Sequence, residues 1–201
     1  MIRAFIAIDI PSDVRLSIEE AQARLKRAHV GVKISWTKID NLHLTLQFLG
    51  YIEEAIVDTI KSTLQLVASQ HQPFDLAVHG AGAFPNESRP RVIWVGCDDA
   101  EGRLKMLARA VQDAMQPLGF EPEHREFSAH LTLGRIKVPR PDVALTRAVD
   151  SLKDTAFGTL RVEAIHLMES QLHPEGSIYT KLSSHGLGAP NQKEIHDAAK
   201  T

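Results

Sequence analysis

The chain has 201 residues, 43% of them hydrophobic and 24% charged, which is typical of a folded globular protein and excludes a disordered or collagen-like one. With 23 basic and 25 acidic residues, bulk positive charge cannot bind a long stretch of phosphate backbone, so any nucleic acid contact must be local. No apolar run reaches the roughly 18 residues of a membrane-spanning helix. The single cysteine, Cys97, excludes an internal disulfide, and we predict a cytoplasmic protein.

The first half of the chain predicts helices that each link two strands. A strand over residues 3–9 precedes a helix over residues 12–29, in which apolar residues recur every three to four positions. A strand over residues 42–49 is followed by a helix over residues 53–69 and a strand over residues 74–79. The predicted order is β-α-β-α-β.

The second half repeats this order after a connector of small and turn-forming residues at positions 80–90. Its predicted elements are a strand over 92–97, a helix over 101–116, a strand over 127–135, a short helix over 141–153, and strands over 161–169 and 177–182. Residues 184–201 predict a polar C-terminal tail. The repeat predicts a duplicated α/β (α+β) fold with two antiparallel-rich sheets and helices on their outer faces.

The tetrapeptide His-Leu-Thr-Leu occurs twice, beginning at His43 and at His130, 87 positions apart. Both copies lie in predicted strands, where successive side chains point to opposite faces. The leucines therefore belong to a core, while His43 shares the other face of its strand with Thr45, as His130 does with Thr132. A single motif of this kind is ordinary, but two in matching frames predict one site at which the duplicated halves meet.

Two facing imidazoles are suited to open a strained cyclic phosphodiester. Because the ordinary pKa of histidine is about 6.5, one ring can take a proton from water while the other protonates the departing sugar oxygen. The hydroxyls of Thr45 and Thr132 can donate hydrogen bonds to the non-bridging phosphate oxygens. The two halves are alike in pattern, so the residues alone leave open which of His43 and His130 is the acid.

Signatures of other phosphate chemistry are missing from the sequence. It contains no Gly-x-x-x-x-Gly-Lys-Ser/Thr loop, which is the motif that cradles the phosphates of a nucleotide. The histidines outside the repeated motif show no compact spacing of metal ligands. We therefore predict neither a metal nor a cofactor.

Six segments of the chain together resemble the bacterial and archaeal RNA 2′,3′-cyclic phosphodiesterases, also described as RNA 2′-5′ ligases, of the 2H phosphoesterase superfamily. They are RAFIAID at 3–9, NLHLTLQFLG at 41–50, RPRVIW at 89–94, PLGF at 117–120, FSAHLTLGR at 127–135 and LMESQL at 167–172. The resemblance covers residues 1 to about 183, and the paired His-x-Thr-x motif defines that superfamily.

The resemblance implies one bilobal domain over residues 1–183, with lobes over about residues 1–90 and 91–183 that flank a central cleft. It implies hydrolysis of RNA 2′,3′-cyclic phosphate ends to 2′-phosphates, with His43 as proton donor and His130 as proton acceptor. By microscopic reversibility the same groups could join RNA ends by a 2′-5′ bond without ATP. The expected partner is RNA with cyclic phosphate ends, tRNA fragments among them, and the expected state is a monomer that does not bind membranes.

Arg135, Arg91 and Phe48 are further candidates for substrate binding, since an arginine can clamp a phosphate and an aromatic ring can stack on a base. Strand parity places Arg135 out of phase with His130, so it reaches the cleft only if the strand twists or bulges. Phe48 has the same parity problem and could equally fill the core.

Two other functions stay open at this point. A related enzyme could act on a small cyclic nucleotide or on a cyclic phosphate of an ADP-ribose derivative. Alternatively, a non-catalytic module could hold RNA ends without turning them over.

Overall fold

The described part of the chain, residues 1–28, 31–86, 88–122, 127–174 and 176–188, contains nine strands and four α-helices in this computed structural model. The strands are β1 (Ile2–Asp9), β2 (Ile34–Trp36), β3 (His43–Ile52), β4 (Phe74–Phe84), β5 (Val92–Asp98), β6 (His130–Ile136), β7 (Ala156–Val162), β8 (Ala164–Gln171) and β9 (Ile178–Gly186). The helices are α1 (Ser12–Ala28), α2 (Val57–Ser69), α3 (Arg103–Met115) and α4 (Val143–Asp150). The predicted β-α-β-α-β order is confirmed in both halves, with β2 as an unpredicted addition.

The predicted connector at residues 80–90 was wrong in its first part, because β4 continues to Phe84. Gly80 has a φ of +71° and lies where the pairing of β4 with β5 shifts register, so it forms a bulge rather than a turn. A Cβ at this position would lie 2.7 Å from the backbone oxygen of Lys153, which explains the glycine.

Two other boundaries also differ from the predictions. The strand predicted over residues 161–169 is two strands, because the chain leaves β7 and enters β8 on the far side of the sheet. The predicted tail begins too early, since β9 extends to Gly186 and Leu187 is buried. His29, the predicted last residue of the first helix, and residues 189–201 lie outside the described residues.

All nine strands belong to one curled antiparallel sheet with the order β7-β4-β5-β6-β3-β1-β8-β9, and β2 pairs with β6. The two predicted sheets are its two halves, joined where Leu44 of β3 pairs with Leu131 of β6. The predicted lobe boundary at residue 90 does not divide the strands, because β4 lies beside β5, while β8 and β9 lie beside β1. β4 and β5 follow each other along the chain and pair as sequential antiparallel strands usually do.

One face of the sheet is covered by the helices and the other is open. The apolar faces of all four helices pack in one large core with alternate strand residues, including Leu44 and Leu131, both fully buried. The opposite face carries a small separate cluster of Phe5, Ala7 and Met168, against which Tyr179 packs. Among the described residues, no helix has the length and apolarity needed to cross a membrane.

Candidate active site

The two His-Leu-Thr-Leu motifs meet on the open face, where β3 joins β6. Leu44 and Leu131 form the pair that links the strands and point into the core. Extending this antiparallel register by one residue in each direction places His43 across from Thr132 and Thr45 across from His130. Directly opposite side chains in an antiparallel pair lie about 4.5–5.5 Å apart at Cβ, so on this extended register each histidine would face the threonine of the other motif. The structure therefore places the two motifs on neighbouring strands, and the four residues that the sequence singled out flank the Leu44–Leu131 pair.

Both imidazoles are anchored in the same way. His43 Nδ1 lies 2.8 Å from the backbone oxygen of Asn41, and His130 Nδ1 lies 2.7 Å from that of Ser128. A carbonyl oxygen only accepts hydrogen bonds, so Nδ1 must carry a proton in each ring. In a neutral ring Nε2 then holds the lone pair, and in a charged ring Nε2 holds a proton that can be given up. The backbone thus fixes a tautomer in which Nε2 is the ring nitrogen that could accept or release a proton in both histidines.

His43 packs against two aromatic rings, and its burial lowers its pKa. Its ring centroid is 4.7 Å from that of Phe5 and 5.2 Å from that of Tyr179, which meets it edge-on. Burial lowers the pKa of His43 and is the largest cause, and the charge of Arg135 acts in the same direction. The hydrogen bond to the backbone of Asn41 and the charge of Asp9 raise it, but the net direction is downward.

His130 has a matching aromatic neighbour on the other half of the site. The ring of Phe84 meets it edge-on at 5.1 Å between centroids, and Phe84 also packs against Trp94 at 5.1 Å. Trp94 is the cross-strand partner of Thr132, so this aromatic pair supports both polar residues of the second motif. Tyr179 and Phe84 therefore play equivalent parts beside the two histidines.

A bulge in each motif strand brings Phe48 and Arg135 to the open face. On β3 the register against β1 shifts between Thr45 and Gln47, and on β6 the register against β5 shifts between Thr132 and Gly134. Each bulge adds one residue and reverses the alternation beyond it. Phe48 is consequently 48% exposed, with its ring 6.1 Å from Phe5, and Arg135 is exposed. The interpretation of Phe48 as core filler was wrong, and the bulge required for Arg135 is confirmed.

The bulge on β6 is supported by a buried glutamine that the sequence analysis missed. Gln22 of α1 is 1% exposed, and its Nε2 donates to the backbone oxygens of Leu133 at 3.1 Å and Thr37 at 2.8 Å. The bulge also requires glycine at position 134. A Cβ there would lie 2.9 Å from Ile34 Cγ2 and 3.0 Å from Trp36 Cε3, which is too close for a larger residue. A glutamine among the inward positions of an otherwise apolar helix face was the available signal.

Arg91 lies farther from the histidines. It directly precedes β5, and its backbone oxygen accepts from the amide of Ile136 at 2.9 Å. The residue of β5 that pairs with His130 is Gly96, five positions away, which is roughly 16 Å along a strand. Its side chain is exposed. The structure therefore places Arg91 just before β5 and away from the motif.

An acidic residue that the sequence analysis did not single out lies beside His43. Asp9 ends β1 and is the cross-strand partner of His43. Its Oδ2 lies 2.6 Å from Lys181 Nζ and 3.5 Å from His166 Nε2. Alternation along β1, with Phe5 and Ala7 on the open face, could have pointed to Asp9 as the next residue on that face.

The described residues include neither a metal-binding cluster nor a reactive thiol. Within the described ranges, no group of three or more histidine, cysteine, aspartate or glutamate side chains is arranged to hold a metal ion. Burial raises the pKa of Cys97 to about 12, so its thiol stays protonated and is a poor nucleophile.

Comparison with known proteins identifies relatives over nearly the whole chain. The LigT like Phosphoesterase family matches twice, at residues 8–94 and at residues 95–179. The RNA 2′,3′-cyclic phosphodiesterase of Archaeoglobus fulgidus is 37% identical over 180 residues, which are 90% of this chain and 97% of the relative. That of Methanothermobacter thermautotrophicus is 34% identical over 181 residues, which are 90% of this chain and 96% of the relative.

Solved structures agree with these sequence matches. A crystal structure of a Thermus thermophilus protein, 28% identical, has a TM-score of 0.76 and covers 93% of this chain and 98% of its own. The crystal structure of E. coli LigT complexed with 3′-AMP, 26% identical, has a TM-score of 0.70 and covers 92% and 98%. The resemblance drawn from the six sequence segments is confirmed, and the chain belongs to the LigT-like phosphoesterase family.

Proposed function

We propose that the chain hydrolyses RNA 2′,3′-cyclic phosphate ends to 2′-phosphomonoesters, with His43 and His130 as the acid and the base. The observation that supports this proposal is the pairing of the two motif strands at Leu44 and Leu131, beside two imidazoles that are each held by a backbone oxygen. The substrate class is supported by relatives named RNA 2′,3′-cyclic phosphodiesterase that match about nine-tenths of the chain.

In the proposed reaction, neutral His130 accepts a proton at Nε2 from water, and the water oxygen bonds to phosphorus. The bond from phosphorus to the 3′ oxygen breaks, and Nε2 of protonated His43 gives its proton to that oxygen. The product is a 2′-phosphate beside a free 3′-hydroxyl. Thr45 and Thr132 donate hydrogen bonds to the non-bridging oxygens, where negative charge develops. Each histidine is expected to contribute a factor of about 10² to 10⁴ in rate.

The lowered pKa of His43 means that its ring loses its proton at a lower pH than an exposed histidine does. Without substrate, burial favours the neutral ring. An anionic phosphate bound beside the ring acts in the opposite direction, because an opposite charge favours the protonated form. Substrate binding would therefore favour protonation of His43. The assignment of His43 as the proton donor follows the family resemblance.

Phe48 and Arg135 would extend the site from the phosphate toward the rest of the RNA. Phe48 presents an exposed ring on the open face, and aromatic rings stack on bases with little preference for sequence. Arg135 presents a cation close enough to affect His43, where it could hold a phosphate. Arg91 would contact only a longer RNA, since it lies five positions from Gly96, the residue that pairs with His130.

The same groups could catalyse joining as well as hydrolysis. If an RNA 5′-hydroxyl takes the place of water, its oxygen bonds to phosphorus, the 3′ oxygen leaves with a proton, and a 2′-5′ linkage results. No nucleotide cofactor enters this scheme. RNA with cyclic phosphate ends, tRNA fragments among them, is the proposed partner, and action as a cytoplasmic monomer stays a prediction.

Turnover of a short oligoribonucleotide that ends in a 2′,3′-cyclic phosphate tests the proposal. The reaction is run with EDTA and without ATP, and the position of the product phosphate is read by ³¹P NMR. A 2′-phosphate is expected. A 3′-phosphate product, or a requirement for added metal, would contradict the mechanism. Parallel assays with a cyclic mononucleotide and with a cyclic phosphate of ADP-ribose separate the two enzyme alternatives, and binding without turnover would identify a non-catalytic module.

A further inference from the structure

The two halves of the site differ in the residue that pairs with each histidine. Asp9 of β1 is the cross-strand partner of His43, whereas Gly96 of β5 is the partner of His130. Asp9 and Gly96 are 87 positions apart, as are the two histidines, so they occupy equivalent positions of the duplication. A carboxylate therefore lies beside one histidine, and the matching position beside the other has no side chain.

Packing keeps the second position empty. A Cβ at Gly96 would lie 2.9 Å from the backbone oxygen of His79 and 3.4 Å from Trp94 Cζ3. The first of these contacts is with backbone and cannot be relieved by a side-chain rotation. The site therefore admits a carboxylate beside His43 but not beside His130.

Asp9 is held in place by strands on its far side. Lys181 of β9 donates to its Oδ2 at 2.6 Å, and His166 of β8 lies 3.5 Å from the same oxygen. Burial raises the pKa of Asp9, but the hydrogen bond from Lys181 and the charges of His166, Lys181 and Arg15 together lower it further than burial raises it. The side chain is consequently an oriented anion at neutral pH, although 43% exposed and so partly screened by solvent.

The charged and titratable groups around His43 come from three other strands, β1, β6 and β9. Asp9 of β1 favours the imidazolium, Arg135 of β6 disfavours it, and Tyr179 of β9 contributes its ring edge. Resting on the proposed function, we propose that Asp9 is a positioning residue that biases His43 toward its protonated form. This charge partly offsets the burial that lowers the pKa of His43, and it acts beside the proposed proton donor and not beside its symmetry mate His130.

Ring titrations by NMR test this bias without any need for turnover. The pKa values of His43 and His130 are measured in the wild-type chain, in Asp9→Asn and in Asp9→Glu. We expect Asp9→Asn to lower the pKa of His43 and leave that of His130 in place, and Asp9→Glu to restore the wild-type titration of His43. Asp13→Asn, at an exposed carboxylate in the first turn of α1, is the matched control for net charge and should move neither ring.

The pH profile of kcat/KM provides the second readout. A donor with a lower pKa loses its proton earlier, so Asp9→Asn should cut kcat/KM about threefold to tenfold alkaline of the optimum and less than about twofold on the acid side. An unchanged titration of His43 in Asp9→Asn would overturn the proposal, as would an equal loss of kcat/KM at every pH. If the titration shifts but the wild-type chain turns over no cyclic phosphate end, the proposed function fails while the effect of Asp9 on His43 stands.

Discussion

The substitutions His43→Asn and His130→Asn remove Nε2, the nitrogen proposed to transfer protons, and keep a nitrogen in the place of Nδ1, which anchors the ring. The asparagine Nδ2 takes the place of the imidazole Nδ1, which donates to the backbone oxygens of Asn41 at 2.8 Å and Ser128 at 2.7 Å. The local backbone should therefore keep its hydrogen bonds. We expect each variant to lose a factor of about 10² to 10⁴ in kcat, which corresponds to about 2.7–5.5 kcal/mol of barrier.

Stability should change far less than activity. Each imidazole has its edge-on aromatic contact, Tyr179 for His43 and Phe84 for His130. Loss of such a contact costs about 0.5–1.5 kcal/mol in the free energy of unfolding. Since the acid and the base act on one phosphorus atom in one step, the double variant should lose little more activity than the worse single variant.

The assay is cleavage of a labelled oligoribonucleotide with a 2′,3′-cyclic phosphate end, in EDTA and without ATP, alongside urea unfolding of each variant. A variant that unfolds like the wild type and keeps more than about a tenth of its kcat would refute the acid-base pairing. Losses that multiply fully in the double variant would show that the two histidines do not act as a unit.

Three further substitutions test the residues around His43, Thr45, His130 and Thr132. Arg135→Gln should raise the pKa of His43, because a nearby cation is removed, and raise KM about threefold to tenfold; a fall in that pKa would contradict the proposed proximity. Phe48→Ala should raise KM for an RNA end about tenfold with kcat nearly unchanged, as expected for a base-stacking ring, whereas a loss confined to kcat would exclude that role. Gln22→Leu should lower the free energy of unfolding by about 1–3 kcal/mol, measured with urea, because it removes the side-chain donor to the backbone oxygen of Thr37 and one of two donors to that of Leu133. The exposed Gln70→Leu is the control, and equal losses in both variants would contradict this reasoning.

The order of strands and helices in each half, and the two faces of the motif strands, could be predicted from the order of residues alone. Alternation of leucine with histidine and threonine is a local property, and it correctly placed Leu44 and Leu131 in the core and the polar residues on the other face. The occurrence of the same motif at matching positions of the two halves predicted that the halves would meet at the motif strands. Both inferences needed no knowledge of which strands are neighbours.

The positions of the bulges and the order of the strands in the sheet could not be predicted from local sequence patterns. Phe48 and Arg135 follow a reversal of strand parity that arises from the partner strands β1 and β5, so their own sequence cannot reveal it. The mixing of strands between the two halves of the sheet likewise follows from the pairing of β4 with β5, which extends through a segment rich in turn-forming residues.

The charge beside His43 is the clearest case of a feature decided by the tertiary structure. Asp9 lies 34 positions before His43 in the chain, and its partners Lys181 and His166 come from strands near the other end. These residues become neighbours only because β1 lies between β3 and β8. Electrostatic effects depend on distance in space and not on separation along the chain, so only the assembled sheet distinguishes one histidine from the other.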